Sequence, residues 1–223
     1  MRTESAHIDR VRMAAMRLVL SYPLSERTPF YRGLDKPSLQ RLYDLSAGDT
    51  CNSFYLKTSN HIGTDVDGPL HFNVRGRSIT DYDVNELVLT RPAIADVRLE
   101  KSELIRPERL EALEDVRRDC DILLLRSGFG AHRHDERTYV DEGPGFSANA
   151  ARYVLGLLPE LTALVMDFMS AAALKHQEEG CDAHRVFLGC PGYGDRAVLL
   201  VEDAMLPADL TPPSRIIIVP LAH

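Results

Sequence analysis

Seven short apolar runs are spread along the chain. They are RLVLSY (17–22), SFYLKT (53–58), AIADVRL (93–99), DILLLRS (121–127), ALVMDF (163–168), AVLLVED (197–203) and RIIIVPL (215–221). Each has the length and the β-branched or leucine content of a strand. Helix-like segments at 107–119, 147–158 and 182–189 alternate with several of them, and Ser147 and Asp182 are the predicted N-caps of the last two. This alternation predicts a mixed α/β fold with a buried sheet.

The chain is predicted to form one domain over residues 1–223. A chain of 223 residues buries roughly 70% or more of its unfolded surface without help from disulfides. It has no internal repeat, no low-complexity tract and no linker rich in Gly, Ser and Pro. A metal is therefore not needed to hold the fold together, and any metal site would serve another purpose.

Charge and cysteine content narrow the class of partner. The net charge is -7 and no run of five or more Lys or Arg occurs, which argues against nucleic acid and anionic membrane surfaces. The four cysteines include no CxxC pair, so neither a disulfide framework nor a thiolate zinc site is indicated. Charges up to Arg17 leave too short an apolar run for a signal peptide or a membrane span. We expect a cytoplasmic protein with a small-molecule substrate.

Four candidate metal ligands occur in the stretch NHIGTDVDGPLH (60–71). They are His61, Asp65, Asp67 and His71. In a plain strand all four would point to one face. Burying such a face unpaired would cost several kcal/mol per charged group, so solvent or a cation must compensate.

The glycines and the proline of this stretch suggest a stiff path outside a regular ladder. Gly63 and Gly68 permit unusual backbone angles, and Pro69 removes a hydrogen-bond donor. Imidazole and carboxylate donors suit a divalent metal, with zinc as the best fit and manganese next. The alternative is a polar loop with incidental histidines.

Carboxylates also stand at the ends of two apolar runs. Asp167 ends ALVMDF, and Glu202 and Asp203 end AVLLVED. The ends of buried strands are common ligand positions in α/β proteins, although a solvated strand terminus is the alternative for any one acid. The loop HRHDE (132–136) is interpreted as a solvated surface loop, and Ser127 lies outside a G-x-S-x-G elbow.

The stretch HIGTDVDGPLHF resembles the signature H-x-G-T-H-x-D-x-P-x-H of the cyclase family of metal-dependent hydrolases, which includes kynurenine formamidases and isatin hydrolases. The similarity runs in order from about residue 18 to 221. It includes LSYPLSERTPFYRG, DILLLRSGFG, GPGFSANAARYV, VMDFMS, AHRVFLG and VLLVEDAML. The resemblance implies a single-domain swivelling β/β/α fold with mixed sheet layers around a metal site, usually assembled as a homodimer or higher homo-oligomer.

The resemblance also implies roles for individual residues. His61, Asp67, His184 and Glu202 would hold one metal ion or two, and His71 would handle protons. Asp167 and Ser170 would be pocket groups rather than ligands. Asp65 stands where the family has its second motif histidine. As a ligand, Asp65 would add charge and a harder oxygen donor, which weakens the preference for zinc over manganese or magnesium.

The activity implied is hydrolysis of a carbon–nitrogen bond in a non-peptide amide, either an aryl-formamide or a cyclic amide. Metal-activated water would attack the carbonyl carbon, and His71 would return the proton to the leaving nitrogen. Any aromatic stacking on the substrate would come from residues such as Phe30, Tyr31, Phe72 or Phe129, because the chain has no tryptophan. Two alternatives remain open: a biosynthetic cyclase or dehydratase acting on a natural-product intermediate, and a catalytically degenerate metal-binding protein.

Overall fold

The computed structural model describes residues 17–220. Within this range the strands are β1 (Ser38–Tyr43), β2 (Ser53–Lys57), β3 (Asp65–Asp67), β4 (Val88–Leu89), β5 (Pro92–Asp96), β6 (Leu104–Ile105), β7 (Ile122–Arg126), β8 (Gly145–Phe146), β9 (Ala163–Met166), β10 (Leu199–Glu202) and β11 (Ile216–Ile217). The α-helices are α1 (Ala148–Leu157) and α2 (Gln177–Phe187). None of the described helices is long and apolar enough to cross a membrane.

The centre of the protein is a five-stranded mixed sheet. Its strand order is β3-β10-β9-β7-β5, with β3 antiparallel to β10 and the other neighbours parallel. Alternate residues of β7 pack on opposite faces, with Leu123 and Leu125 in one core cluster and Ile122 and Leu124 in the other. Because parallel strands are buried on both faces, they read as continuous apolar runs. The predicted α/β class with a buried sheet is confirmed.

Three layers build the fold. Helices α1 and α2 pack on one face of the sheet, where Val154 and Val186 belong to the same cluster as Leu123. The other face is covered by the small antiparallel pair β4–β11, through Leu89 and Ile218. The order is therefore β/β/α, as the family resemblance implied. The helix α1 begins as predicted, since the Ser147 side chain accepts a hydrogen bond from the Ala150 amide (3.2 Å).

Two helix predictions were wrong in detail. The segment 107–119 forms 3₁₀ turns at Pro107–Arg109 and Glu111–Leu113 rather than an α-helix. Its fully buried residues Leu110 and Leu113 are three positions apart, the repeat of a 3₁₀ turn. Asp182 is not an N-cap, because it lies inside α2 and accepts hydrogen bonds from Arg185 (2.6 Å) and Tyr193 (2.9 Å).

The strand predictions differ from the structure mainly at the two ends of the chain. The run 17–22 contributes a single bridge from Ser21 to Ala204 instead of a strand. The run 215–221 yields only the two-residue β11, and its last residue lies outside the described range. Strands β1, β4, β6 and β8 were not predicted. Strand β1 has six exposed side chains, and its residues SLQRLY do not form an apolar run.

Antiparallel pairing places the histidine-rich motif beside the end of β10. In this pairing Asp65 is the register partner of Glu202, and Asp67 is the partner of Leu200. The carboxylates of the motif therefore lie next to the carboxylate that ends the apolar run of β10. This edge of the sheet carries the candidate site.

Candidate metal centre

The motif 60–71 is not a plain strand, so strand parity does not align its four candidate side chains. Only Asp65–Asp67 is strand, and Pro69–His71 is a 3₁₀ turn. Gly63 has φ +80°, which favours glycine, whereas Gly68 has an ordinary φ of −92°. The turns still bring the ends together, since the ring centroids of His61 and His71 are 4.0 Å apart.

The first ligand group lies on the motif itself. His61 Nδ1 is 2.9 Å from Asp65 Oδ2 and 2.9 Å from Asp67 Oδ1. His71 Nε2 is 3.8 Å from Asp67 Oδ1. Ligand atoms of His61, Asp67 and His71 lie within 4.8 Å of one another. The group thus includes His71, which was expected to handle protons, whereas Asp65 lies outside it and contacts His61.

The second group joins the motif to two distant segments. His184 Nε2 is 3.4 Å from Asp67 Oδ2 and 3.3 Å from Glu202 Oε1. Ligand atoms of these three residues also lie within 4.8 Å of one another, and all three are buried. Asp67 belongs to both groups, with Oδ1 toward the first and Oδ2 toward the second. The structure therefore brings His61, Asp67, His184 and Glu202 together, with Asp67 as the residue common to both groups.

Helix α2 fixes the orientation of the His184 ring. His184 Nδ1 lies 2.8 Å from the Gly180 carbonyl oxygen, and a carbonyl only accepts, so Nδ1 carries the hydrogen. A neutral ring then offers the Nε2 lone pair to the site, as in metal-binding histidines. A Cβ on Gly180 would lie 2.4 Å from Ala172 Cα, so glycine permits this close packing. Phe72 stacks on the ring at 4.8 Å.

The segment after β9 fixes Glu202. Its Oε1 accepts hydrogen bonds from the Ala171 amide (2.7 Å) and from Ser170 Oγ (3.2 Å). Ser170 therefore contacts a predicted ligand. Asp167 instead accepts from the Ser127 amide (2.8 Å), and so it ties the end of β9 to the end of β7.

The ionisable groups of the site shift one another strongly. Burial works to lower the pKa of His61, but its close contacts with the Asp65 and Asp67 carboxylates outweigh burial and raise that pKa to about 10. Burial raises the pKa of Asp65 to about 8. Burial also lowers the pKa of His71 to about 4, with help from the neighbouring histidines. Burial opposes ionisation of Asp67, yet the nearby His184 and His61 rings hold its pKa below the usual range. Ionised carboxylates in this buried site are therefore stable only with positive charge close to them.

Two observations test whether these residues fit a divalent metal. The buried Asp67 Oδ1 makes no hydrogen bond to the described residues, although His61 Nδ1 lies close by. A buried acceptor left without a partner is costly. Ligands bound to a tetrahedral zinc at roughly 2.0–2.1 Å lie about 3.3 Å apart, close to the 3.3 and 3.4 Å spacings at His184. With imidazole and carboxylate donors, the set fits zinc or manganese.

A cavity of about 250 Å³ opens onto both ligand groups. Besides the ligands its lining includes the apolar or aromatic side chains of Tyr31, Leu34, Phe72, Met169 and Ala172, together with Arg32, Ser170, Gln177 and Cys181. Of the aromatic residues considered from the sequence, Tyr31 and Phe72 line this cavity, whereas Phe129 is a core residue. The cavity suits a small organic molecule.

Sequence reasoning missed Arg133. It lies in HRHDE, which was interpreted as a solvated loop, but its side chain is only 16% exposed and pairs with the buried Asp203 (2.7 Å). Asp203 was noticed because it follows Glu202. No local pattern indicates a partner 70 positions away.

Comparisons with known proteins agree with the fold and the candidate metal site. A family model described as "Putative cyclase" matches residues 18–173. A crystal structure of an isatin hydrolase bound to the product analogue thioisatinate superposes with a TM-score of 0.69 and 17% identity, covering 96% of this chain and 90% of that one. Isatin hydrolase A from Labrenzia aggregata gives 0.70 and 15%, with the same coverage. At these identities the likeness shows the fold.

Two further similar proteins have names that specify no substrate. A potential metal-dependent hydrolase with cyclase activity superposes with a TM-score of 0.62 and 17% identity, over 87% of this chain and 84% of that one. An uncharacterized protein of Haemophilus influenzae is 27% identical over 122 residues, which are 54% of this chain and 86% of that protein.

Proposed function

The chain belongs to the cyclase family, and from that premise we propose that it is a metal-dependent hydrolase that cleaves the carbon–nitrogen bond of a small non-peptide amide. An aryl-formamide or a cyclic amide is the proposed substrate class. The likeness to isatin hydrolases supports the choice of a hydrolase over a metal-storage or structural role.

The observation that carries the proposal is the position of Asp67. Its side chain is 2% exposed, and its two oxygens face two separate groups of potential ligands. Among the described residues Oδ1 makes an ion contact with His61 Nδ1 (2.9 Å) but no hydrogen bond of good geometry. A divalent cation satisfies such an oxygen and offsets the charge that collects here.

We propose the following roles for the residues of the site. His61 and Asp67 from the motif, with His184 and Glu202 from the distant segments, would hold the metal. When bound, a divalent metal supplies a water of lowered pKa and polarises a carbonyl group. The Asp65 carboxylate lies 2.9 Å from His61 Nδ1. It would accept a hydrogen bond from this nitrogen when the nitrogen carries a hydrogen, and it would stand beside the metal when the nitrogen binds one.

His71 is the proposed proton carrier. Its side chain is 32% exposed, the largest exposed fraction among the histidines of the site, and it lines the cavity. From there its ring reaches a bound substrate and also exchanges protons with solvent. A histidine at such a position serves as general base toward water and general acid toward the leaving nitrogen.

The cavity supports a small, largely apolar substrate. Its volume of about 250 Å³ lies just below the usual range of sites for small molecules, which favours a small substrate. Tyr31 and Phe72 provide aromatic surface on its wall, against which a substrate ring packs.

Elemental analysis followed by substrate assay tests the proposal. We expect purified protein to retain zinc or manganese and to hydrolyse formanilide or isatin, with activity lost on chelation and restored by the metal. Bound metal without hydrolysis of any formyl-anilide or lactam would favour the biosynthetic cyclase or dehydratase. Protein that neither retains nor takes up a divalent metal would contradict the proposal.

We further propose a homodimer or higher homo-oligomer in a reducing, cytoplasmic setting. The hairpin β1–β2 exposes Leu39, Phe54, Tyr55 and Leu56, and a two-stranded hairpin is marginal when nothing covers it. All four cysteines are free. Light scattering coupled to size exclusion checks the assembly, and a monomer at micromolar concentration would contradict it.

A further inference from the structure

A set of contacts closes the end of the strand pair that carries predicted ligands. Thr64 precedes Asp65, the first residue of β3, and Asp203 follows Glu202, the last residue of β10. Asp65 and Glu202 are register partners. Thr64 Oγ1 donates a hydrogen bond to the Asp203 carbonyl (2.5 Å). This bond therefore links the two strands one residue beyond the metal centre.

Asp203 has a backbone conformation that is uncommon for a residue other than glycine. Its φ is +48° and it is 0% exposed. Its amide donates to the Phe168 carbonyl (3.0 Å). Such conformations persist where the surrounding structure enforces them, and they cluster at functional sites. The contacts of the Asp203 side chain show what enforces this one.

The carboxylate of Asp203 is held by two side chains from the segment between β7 and α1. Arg133 donates from Nε to Oδ1 (2.8 Å) and from Nη2 to Oδ2 (2.7 Å), and the Tyr139 hydroxyl donates to Oδ1 (2.6 Å). The Arg133 guanidinium also lies 3.9 Å from the centre of the Tyr22 ring. The Tyr22 amide donates to Thr64 Oγ1 (3.0 Å). The contacts thus form a closed circuit through Thr64.

These contacts fix the backbone next to Asp65 and Glu202. They do not touch the side-chain atoms that would bind the metal. The Glu202 carboxylate has its own partners at Ala171 and Ser170. Removing a contact of Asp203 therefore leaves the direct hydrogen bonds of the Glu202 carboxylate unchanged. What changes is how firmly the turn after Glu202 and the start of β3 are set against each other.

We propose that Asp203, Arg133 and Tyr139 are positioning residues of the metal centre. They fix the turn after Glu202 and, through Thr64, the separation between the motif and β10, so that Asp67 and Glu202 keep the spacing that a divalent cation requires. The proposal rests on the proposed function, because it assumes that these residues bind a metal.

The alternative is a buried ion pair that contributes to stability alone. Two variants separate these roles. Asp203→Asn keeps the size of the side chain and one acceptor oxygen but removes the charge facing Arg133. Tyr139→Phe removes a single donor.

Asp121→Asn is the matched control. Asp121 is also a buried carboxylate, and it accepts hydrogen bonds from the backbone amides of Thr90 (2.8 Å) and Arg91 (2.9 Å). It precedes β7, at the opposite end of the sheet from Glu202, so its loss affects stability without touching the metal centre.

The experiment titrates Mn²⁺ into each metal-free protein by calorimetry, records the electron paramagnetic resonance spectrum of the bound ion, and measures the melting temperature without metal. We expect Asp203→Asn to lose about 10-fold or more in Mn²⁺ affinity, as for other groups that orient ligands. Tyr139→Phe should lose less and still change the spectrum. Asp121→Asn should bind Mn²⁺ as the parent does, even where its melting temperature falls as far.

Three outcomes decide the matter. Parent-like affinity and spectrum in both Asp203→Asn and Tyr139→Phe would overturn this proposal and leave the proposed function standing. If Asp203→Asn does not fold, a parent-like Tyr139→Phe overturns it alone. A parent protein that binds no Mn²⁺ and no Zn²⁺ would contradict the proposed function, and the positioning role with it.

Discussion

The two halves of the candidate metal centre are built in different ways. On the motif half, His61 and His71 have side chains that are 28% and 32% exposed, and they stand on turns that flank a three-residue strand. On the distal half, His184 and Glu202 are only 4% and 8% exposed. Each distal residue also bonds to backbone, at Gly180 and Ala171.

This difference suggests that the two halves of the centre have different roles. The distal half is preorganised, because a helix and a strand end set its ligands and backbone groups orient them. The motif half faces the cavity and solvent, so the proposed substrate and the protons of the reaction would reach the centre from this side. Asp67 alone belongs to both halves. Variants on either side of Asp67 should therefore fail in different ways.

The largest effect is expected at Asp67 itself. Asp67→Asn removes the charge that both halves share, so metal should be lost from both, and hydrolysis should fall by at least about 10³-fold. Metal content and turnover measured on the same preparation check this. A variant that keeps metal at the parent level would show that the two halves bind independently of Asp67.

The next effect separates chemistry from binding on the motif half. His71→Ala should lose about 10² to 10⁴ of turnover and keep most of the bound metal, because the exposed ring moves protons. The assay pairs kcat with metal analysis, and His184→Ala serves as the contrast that should lose metal. Loss of metal in step with activity in His71→Ala would show that His71 is a ligand, which its place in the first ligand group also allows.

The smallest effect is expected at Asp65. Asp65→Asn keeps an oxygen toward His61 but loses the charge, so metal affinity should fall by about 10-fold or more. Asp65→His, which restores the histidine of the family pattern, is the paired variant and should shift preference from manganese toward zinc. If both variants bind and turn over like the parent, Asp65 has no part in the centre.

The sequence predicted the parts of the molecule whose environment is uniform along the chain. Strands β7, β9 and β10 are buried on both faces, so their residues form apolar runs. The motif was recognisable because its ligands are close in sequence. Strand β1 was not predicted because its exposed residues SLQRLY do not form an apolar run, whereas its partner β2 has the apolar sequence SFYLK.

The remaining features depend on contacts between distant residues. The turn of Asp203 to a positive φ and its pairing with Arg133 follow from three-dimensional packing. A charged residue in a loop rich in His, Asp and Arg gives no local sign that it is buried. The grouping of His71 with His61 and Asp67 likewise came from a 3₁₀ turn that the strand interpretation did not include.

Anomalous diffraction from crystals soaked in Mn²⁺ tests the central claim most directly. The account predicts a peak within about 2.0–2.3 Å of an Asp67 carboxylate oxygen and of ligand atoms from His184 and Glu202 or from His61. It would be contradicted by a peak bound only elsewhere on the protein, or by none at a concentration that saturates metal uptake in solution.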